Sequence, residues 1–443
     1  MTTPGNIRRQ LTRAWAHGVL LHALGIVTSH PHALPAPGNP RRQLTHGRAG
    51  VPRRALGIAI TSHPWAPPEA RAWHRVRAWP GVLLLALVLA CSRGSEAPPT
   101  PLTHEAYVWQ RDWSPELSGA LTDVLPELGA LRVLARERSG PTRTPVDIGV
   151  DVEALARSGR DVVAVMRVDG TAPLDGISLE EVAVHARAWK ARGVRVRGIE
   201  VDHDCATPAL PRYADWLDQE RARLQGQGLT LSITALPTWA SSPDVRRLVS
   251  IPDDVVLQVH AVRAPTLFTP EEARRFVESW STATGRPFRV ALPTYRVRLR
   301  DGTRLSAEPR DVARFLTGLR ERPVPGLTGV LWFRLGHRAD PEAWSPPTLA
   351  TVLRGEPLTP RLTPRLVDAG GGTRDIVIEN TGHVDAEAPA RLTLTGNLEV
   401  LDGVGGYAPR GASLVARTPP RLRAGERRVV GFVRGTEVSL AVP

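Results

Sequence analysis

The sequence predicts an α/β protein made of a (β/α)8 barrel of the TIM type, over residues 104–357, and a small all-β, sandwich-like domain over residues 362–443. Three observations lead to this prediction. Short apolar segments alternate eight times with amphipathic ones over about 250 residues, the usual length of such a barrel. The fourth apolar segment carries acids at alternate positions. After Pro360 the helical periodicity is lost.

Eight segments have the length and apolar content of β-strands. An open doubly wound sheet usually has fewer strands, and the sequence contains no Gly-rich nucleotide-binding loop, so we favour the closed barrel and expect no cofactor. The predicted strands are Ala106–Gln110, Leu131–Arg136, Val162–Val168, Gly198–Asp204, Leu229–Ala235, Val255–His260, Phe288–Leu292 and Gly329–Leu335.

Four of the intervening segments are clear amphipathic helices. The first, Leu179–Arg192, follows Ser178 and has Glu181 three residues after that serine, which is the spacing of a capping box. The other three begin next to a proline, which is favoured in a first helical turn. They are predicted over Leu210–Leu224, Pro270–Thr282 and Pro309–Arg320.

The C-terminal segment shows short apolar runs between Gly and Pro turns, a pattern typical of an all-β domain. The runs include Asp375–Gly382, Ala390–Leu394 and Arg427–Arg434. Such a domain serves either as a brace for the barrel or as a sugar-binding module, and the sequence leaves both interpretations open.

The fourth predicted strand is the segment that points to a function. Side chains alternate between the two faces of a strand, so Glu200, Asp202 and Asp204 share one face, opposite apolar residues. Burying three unpaired carboxylates in a packed core would cost far more than a strand gains by forming. We therefore expect them to face a wet cavity at the C-terminal end of the barrel, where sites in this fold lie.

Polar and aromatic residues also gather at the ends of other predicted strands. Aromatic rings stack on the apolar faces of sugars, and carboxylates supply the acid for glycosidic cleavage. Clustered carboxylates repel each other, so at least one should hold its proton near neutral pH. The candidates for substrate binding are Trp109, Trp239, Gln258, His260, Tyr295, Trp332 and Arg334.

These candidates have structural alternatives. The aromatic residues could be core residues, and Cys205 is expected to be a packed thiol. A metal site formed by Asp202, Asp204 and His260 is a further alternative, but the spacing is not diagnostic and no metal is predicted. The acids could also form an internal ion-pair layer with one of three arginines, Arg111, Arg167 or Arg334.

Over residues 104–443 the chain resembles the uncharacterised bacterial domain-of-unknown-function family 3142 (DUF3142). The resemblance rests on Val201–Cys205, Thr234–Trp239 and Leu257–His260. It implies no particular activity, because none is established for that family.

The segment Gly198–Asp204 is also similar to the strand-four signature of the chitinase-like glycoside hydrolase family 18. This resemblance implies that Asp204 is the general acid, supported by Asp202, and that Trp332 is the tryptophan at the floor of the sugar site. The sequence departs from that pattern in three ways, one of which is a poor match on the sixth strand. Asp204 replaces the usual Glu, which shortens the reach by one methylene, and Glu200 stands where an Asp is usual.

We therefore expect a protein that binds a glycan, with Asp204, Asp202 and Glu200 as the catalytic set of a glycoside hydrolase. The alternative is a non-catalytic barrel that binds a glycan or a protein.

Residues 1–75 do not have the pattern of a domain. The segment Gly5–Thr12 returns as Gly38–Thr45, a spacing of 33 residues, but two copies are too few for a solenoid. Two interpretations stay open. The segment is disordered, or it is a mis-annotated extension and translation begins further on, for example at Val76.

Residues 76–91 are predicted to be a signal peptide. A short basic region precedes an apolar run of about ten residues, which is too short to span a bilayer. Val88–Cys91 resembles a bacterial lipobox, which implies that Cys91 is lipidated and anchors the chain to a membrane of the bacterial cell envelope, facing the periplasm or the cell surface. The alternative is a buried apolar segment with an incidental cysteine. Residues 92–103 are predicted to be a linker.

The net charge of +13 does not indicate a nucleic-acid partner. Residues 1–91 contain eleven arginines and one acid, so most of the excess charge lies there. The remaining chain is nearly neutral and contains no basic patch that would bind phosphates.

Overall fold

The computed structural model describes residues 101–122, 126–138, 144–261, 266–299 and 301–441. The predicted extension, the predicted signal peptide with Cys91 and most of the predicted linker lie outside the described residues. Among the helices that are described, none is both long and apolar enough to cross a membrane.

Eight parallel strands form a closed barrel, and all eight predicted strands are confirmed. Each begins within three residues of its predicted start. The first strand pairs with both the second and the last, which closes the barrel. Numbered in chain order, the barrel strands are β1 (Thr103–Val108), β2 (Leu128–Arg138), β4 (Asp161–Val168), β5 (Arg195–His203), β6 (Thr230–Ala235), β7 (Asp254–Gln258), β8 (Phe288–Pro293) and β11 (Leu327–Phe333).

Three short strands lie outside the barrel. Strand β3 (Pro145–Asp147) pairs antiparallel with β2. Strands β9 (Arg296–Arg298) and β10 (Arg304–Ser306) form a hairpin above the C-terminal end of β8.

Helices fill the connections between the barrel strands, and the four predicted helices are confirmed as α3 (Glu180–Ala191), α4 (Leu210–Leu224), α6 (Pro270–Thr284) and α7 (Pro309–Glu321). Helix α6 shows why the boundaries were readable: Thr269 Oγ1 accepts a hydrogen bond from Glu272 N, and Gly285 ends the helix in the left-handed region. The helices are α1 (Pro115–Thr122), α2 (Val152–Ser158), α3 (Glu180–Ala191), α4 (Leu210–Leu224), α5 (Val245–Leu248), α6 (Pro270–Thr284), α7 (Pro309–Glu321) and α8 (Pro346–Arg354).

The N-terminal end of the barrel is sealed by a layer of buried ion pairs, which we call the floor layer. Arg132 is at its centre and is fully buried. Its Nε lies 2.9 Å from Glu105 Oε2 and its Nη2 lies 2.6 Å from Asp254 Oδ2, and it also pairs with Glu200. Arg289 Nε lies 2.9 Å from Asp254 Oδ2, which extends the network. Charges can be buried here because each is paired.

The C-terminal region is all-β, as predicted. Six antiparallel strands form one sheet in the order β12-β13-β19-β15-β17-β16, and β14 pairs with β18. The sheet has its own apolar core, which includes Ile376, Leu392 and Val430. The strands are β12 (Leu362–Gly370), β13 (Thr373–Asn380), β14 (Ala386–Glu387), β15 (Arg391–Gly403), β16 (Tyr407–Arg410), β17 (Ser413–Ala416), β18 (Arg421–Leu422) and β19 (Arg427–Ala441).

Buried hydrogen bonds join this sheet region to the barrel. Asp385 Oδ2 accepts from Ser345 N at 2.9 Å, and Asp385 N donates to Thr348 Oγ1 at 2.8 Å. Both serine and threonine belong to the start of α8, so the helix that follows the last barrel strand is also the attachment point of the sheet.

Candidate functional site

A small cavity, partly open to solvent, lies at the C-terminal end of the barrel. Seven of the eight barrel strands, or the residues directly after them, contribute to its wall. This is the end of the barrel at which sites in this fold lie. The wall is formed by Tyr107, Trp109, Arg167, Asp202, Asp204, Thr234, Gln258, His260, Ala291, Tyr295 and Phe333.

Strand β5 places two acids in this wall. Asp202 is the penultimate residue of the strand, and Asp204 follows its last residue. The intervening His203 points to the opposite side, where its ring meets Tyr213 edge-on with centroids 5.0 Å apart. Ile199 belongs to the core beneath the helices. The alternation expected from the sequence is therefore present.

The two acids are tied together by a single amide. Gln258 Nε2 donates to Asp202 Oδ1 at 3.3 Å and to Asp204 Oδ1 at 3.2 Å. Thr234 Oγ1 also donates to Asp202 Oδ1, at 2.7 Å, and Arg167 Nε lies 3.9 Å from Asp202 Oδ2. Asp202 therefore has three stabilising neighbours, whereas Asp204 accepts a hydrogen bond from the shared amide and is otherwise stabilised by the charge of Arg167.

The environment favours a proton on Asp204. Burial raises the pKa of Asp204 to about 8, and the neighbouring Asp202 adds to the increase. Burial also raises the pKa of Asp202, but Arg167, Thr234 and Gln258 oppose that effect. Because two interacting carboxyls titrate as a pair, the two acids share a proton near neutral pH, and the raised pKa of Asp204 makes it the favoured site of that proton.

Aromatic rings form the wall opposite the acids. Phe333 is at their centre: Trp109 and Tyr295 meet it edge-on with centroids 5.2 and 5.6 Å away, and His260 stacks on it at 5.7 Å. Burial lowers the pKa of His260 to about 4, so this ring is neutral. The cavity thus combines a neutral aromatic wall with a carboxyl pair.

The structure places Glu200 away from this cavity. It is fully buried, pairs with Arg132 in the floor layer and accepts from Ser232 Oγ at 3.1 Å. The expectation that all three acids share one site is corrected to two. Glu200 lies two residues further from the barrel mouth than Asp202, which is one layer deeper inside.

The predicted ion-pair alternative holds for two of the acids: Asp202 has the predicted partner Arg167, at 3.9 Å, and Glu200 has a different one. Arg132, which was not among the arginines considered, neutralises Glu200. Arg111 Nη2 pairs instead with Glu137, at 2.8 Å.

Two of the predicted sugar platforms are core residues. Trp239 is fully buried and its Nε1 donates to Cys205 O at 3.0 Å. Trp332 is also fully buried and stacks on His104, with centroids 5.9 Å apart. Neither contributes to the cavity wall.

The inner face of β11 is the reverse of the one expected. Leu331 and Phe333 face the barrel interior, and Trp332 faces the helices. Arg334 is not part of the wall, and its Nη2 lies 3.0 Å from Asp340 Oδ2. A parallel strand is apolar on both faces, so alternation alone does not tell which face points inward.

Four wall residues were missed by the sequence analysis, namely Tyr107, Thr234, Ala291 and Phe333, and Arg167 was considered only as an ion-pair partner. Tyr107 could have been found, because it lies two residues before Trp109 and therefore on the same face. Thr234 is the penultimate residue of a predicted strand but carries no charge or ring that would single it out. For Phe333, the apolar strand gave no usable signal.

The remaining candidates are inert. Cys205 is buried and its pKa is raised to about 12 by burial, so the thiolate nucleophile is not formed near neutral pH. Within the described ranges, no group of three or more His, Cys, Asp or Glu side chains is arranged to hold a metal ion.

Two family models match parts of this chain. Residues 158–338 match the model of the family "Domain of unknown function (DUF3142)". The resemblance to DUF3142 is thereby confirmed over a range that contains Asp202, Asp204 and Gln258. Residues 365–436 match a second model, "Domain of unknown function (DUF8456)". No curated protein matches the chain.

Several solved structures are similar to the barrel that contains the DUF3142 region. A chitinase from Chromobacterium violaceum is 13% identical, with 58% of this chain and 98% of that chain covered and a TM-score of 0.43. The spore cortex-lytic enzyme SleL of Bacillus cereus is 13% identical, with 58% and 75% covered and a TM-score of 0.41. The C-terminal domain of a putative chitinase from Desulfitobacterium hafniense is 10% identical, with 57% and 99% covered and a TM-score of 0.44. Similarity at this level carries no functional information.

Proposed function

We propose that this chain binds a glycan in the barrel cavity and hydrolyses a glycosidic bond there, with Asp204 as the general acid. One observation carries the proposal: Asp204 lines an aromatic-walled cavity, and burial beside Asp202 raises its pKa to about 8. A carboxyl group with this pKa holds its proton at neutral pH and can give it to a glycosidic oxygen.

Asp202 and Gln258 support this step. The charge on Asp202 holds the proton on Asp204 before the reaction. When Asp204 loses the proton to the leaving oxygen, the Gln258 amide, 3.2 Å away, stabilises the new carboxylate. The same amide also holds Asp202, which keeps the two carboxyl groups in register.

The cavity wall does not supply an obvious protein nucleophile. Among its described residues, the carboxylates are Asp202 and Asp204 alone, and both come from β5 and its end. A retaining mechanism with a protein nucleophile needs a second carboxylate on the other side of the sugar ring. We infer that the nucleophile is water or a group of the substrate itself.

Non-catalytic glycan binding is the second candidate. It is favoured by the short side chain in the acid position, since a displacement of about 1 Å can cost roughly a hundredfold in rate. It is disfavoured by the ion pairs of the other two acids: Arg132 pairs with Glu200 and Arg167 lies 3.9 Å from Asp202, but no arginine pairs with Asp204 in the described structure.

The test is a glycan array followed by measurement of released reducing ends. The wild type is compared with Asp204→Asn and with Asp175→Asn, a control at a carboxylate whose side chain is 85% exposed. We expect wild type and control to bind and cleave one glycan class, and Asp204→Asn to bind without cleaving. Binding without turnover in all three proteins would establish the second candidate instead.

We also propose that the chain is a bacterial envelope lipoprotein anchored through Cys91. The support is the sequence of residues 76–91, a basic region, a short apolar run and a lipobox-like end. Metabolic labelling with a palmitate analogue tests this proposal. Labelling should be lost in Cys91→Ser and kept in Cys205→Ser, and equal labelling of both variants would contradict it.

A further inference from the structure

The main chain that carries Asp204 leaves the barrel in a tight turn. Strand β5 ends at His203, and Cys205 N donates a hydrogen bond to His203 O at 2.8 Å, so Asp204 is the central residue of a γ-turn. Between its Cα and its carboxyl group, the aspartate side chain rotates about χ1 and χ2 alone. The position of the carboxyl group in the cavity wall therefore depends closely on the position of the turn.

Gly170, in the loop after β4, lies directly against this turn. A Cβ atom at position 170 would meet Asp204 O and would lie 2.6 Å from Asp204 C. Both of these atoms belong to the main chain, so they cannot move aside as the end of a flexible side chain can. Glycine at this position allows the close approach of the two main-chain segments.

The segment around Gly170 is itself held in place. Asp169 N donates to Arg138 O at 2.9 Å, and Asp169 Oδ1 accepts from Thr171 N at 2.8 Å. A side chain at position 170 would therefore push a fixed loop against the turn, and the displacement would reach Asp204.

Trp239, in the segment after β6, holds the same turn through a hydrogen bond. Its Nε1 donates to Cys205 O at 3.0 Å, and both residues are buried. Because water does not compete for this bond, the indole fixes the carbonyl group of the residue that follows Asp204. The ring of Trp239 is packed edge-on against Tyr213, with centroids 6.1 Å apart. Neither Gly170 nor Trp239 contributes to the cavity wall, so both act on the turn and not on a ligand.

We infer that Gly170 and Trp239 are positioning residues for Asp204, which together fix the turn and thereby the place of its carboxyl group. This inference rests on the proposed function and adds to it the two residues that aim the general acid. A displacement of about 1 Å can cost roughly a hundredfold in rate, and a side chain as short as aspartate cannot compensate for a displaced main chain.

The experiment compares two variants with matched controls in the full chain. Trp239→Phe removes the indole N–H, and its control is Trp344→Phe, which loses the same volume and a similar bond, from Trp344 Nε1 to Ala307 O at 2.8 Å. Gly170→Ala adds a Cβ against the turn. Its control is Gly198→Ala in the first half of β5, where a Cβ would lie 2.6 Å from Thr230 O.

Three quantities are measured for each protein. Melting temperatures show which variants are folded and how much stability each has lost. Carbon-13 NMR titration gives the pKa of the Asp204 carboxyl group without any ligand. The release of reducing ends from the glycan class that the wild type cleaves on the array gives kcat and KM.

We expect the pKa of Asp204 to change by at least about half a unit in Trp239→Phe and in Gly170→Ala, because burial and the distance to Asp202 both depend on the place of the carboxyl group. The kcat should decrease at least about tenfold while KM changes little, because the wall that binds the glycan is intact. The two controls should lose a similar amount of stability and keep the pKa and the kcat of the wild type.

Folded variants that match their controls in both pKa and kcat would overturn the inference and leave the proposed function intact. An equal change in variants and controls would also overturn it, since it would reflect destabilisation in general. If Gly170→Ala does not fold, Trp239→Phe decides alone. A wild type that cleaves no glycan would reject the proposed function, and the NMR comparison would still decide whether these two residues position the Asp204 carboxyl group.

Discussion

Asp202 and Asp204 accept hydrogen bonds from one nitrogen atom, Nε2 of Gln258, at 3.3 and 3.2 Å. The two acids are separated by a single residue on β5, and the glutamine reaches them from β7, across β6. Because interacting carboxyl groups titrate as a pair, a change in any of these three side chains should change the protonation of the others.

Removing the charge of Asp202 should lower the pKa of Asp204. Asp202 is the largest contributor to that raised pKa after burial, so we expect Asp202→Asn to reduce it from about 8 by at least about one unit. Carbon-13 NMR titration of the aspartate carboxyl groups measures the change directly. An unchanged pKa would mean that burial alone protonates Asp204.

Removing the shared amide should act in the opposite direction. The hydrogen bond from Gln258 stabilises the charged form of Asp204 and so lowers its pKa. We expect Gln258→Leu to raise the pKa of Asp204 above about 8 and to move the alkaline limb of any pH–rate profile to higher pH. A profile that moves to lower pH would contradict the role given to this amide.

The raised pKa of Asp204 predicts a stability that decreases as the pH rises. Its usual pKa is 3.8 and its pKa in the folded chain is about 8, so between these values the native state binds a proton that the unfolded state has lost. The free energy of unfolding contributed by this group should therefore be greatest below pH 4 and decrease up to about pH 8.

Asp204→Asn removes this dependence. We expect the variant to be more stable than the wild type at pH 8, by on the order of 1–3 kcal/mol, and the difference to shrink toward pH 4. Urea unfolding at several pH values checks the slope. A wild-type stability that rises with pH to the same extent as that of the variant would show that Asp204 is charged in the folded chain.

The floor layer predicts that Glu200 contributes to stability and not to catalysis. Arg132→Leu leaves two fully or nearly buried acids, Glu105 and Glu200, without their central partner, and should cost about 3–5 kcal/mol or prevent folding. Glu200→Gln should destabilise less and leave glycan binding by the folded fraction unchanged. Denaturant unfolding and binding assays separate the two effects.

The exposed ion pair of Arg314 with Glu271 is the matched control, since its side chains are 62% and 67% exposed. Arg314→Leu should change the stability by less than about 1 kcal/mol. A loss of turnover in Glu200→Gln at normal stability would restore the catalytic role that the sequence indicated for Glu200.

Two adjacent aromatic residues should respond differently to truncation. Phe333→Ala removes the centre of the cavity's aromatic wall and should weaken glycan binding at least tenfold, with a modest loss of stability. Trp332→Ala removes a fully buried side chain on the other face of β11 and should cost about 3–5 kcal/mol of stability. Binding of both variants is measured by calorimetry and their stability by thermal unfolding. If folded Trp332→Ala bound the glycan more weakly while Phe333→Ala did not, Trp332 would be a binding residue after all.

Strand β5 shows how far the sequence could go with the site. Its acids alternate with apolar residues, and only one arrangement keeps the acids away from the apolar layer under the helices. The alternation of side chains along the strand therefore predicted the correct face for Asp202 and Asp204. It also puts His203 on the opposite face, where the structure has it. It could not show that the layer of Glu200, two residues deeper than Asp202, is closed by ion pairs, because the residues that meet at one depth depend on how neighbouring strands are staggered. Arg132, which meets Glu200, lies 68 residues earlier in the chain.

The sequence by itself determined the eight barrel strands, the confirmed helices and the all-β C-terminal region, because apolar periodicity, caps and turn residues act over a few neighbouring positions. The tertiary structure alone decided which face of β11 points inward, which arginine neutralises Glu200 and that Gly170 and Trp239 contact the turn at Asp204. These relationships join residues that are distant in the chain, and they depend on strand stagger and on packing between elements, which local patterns do not encode.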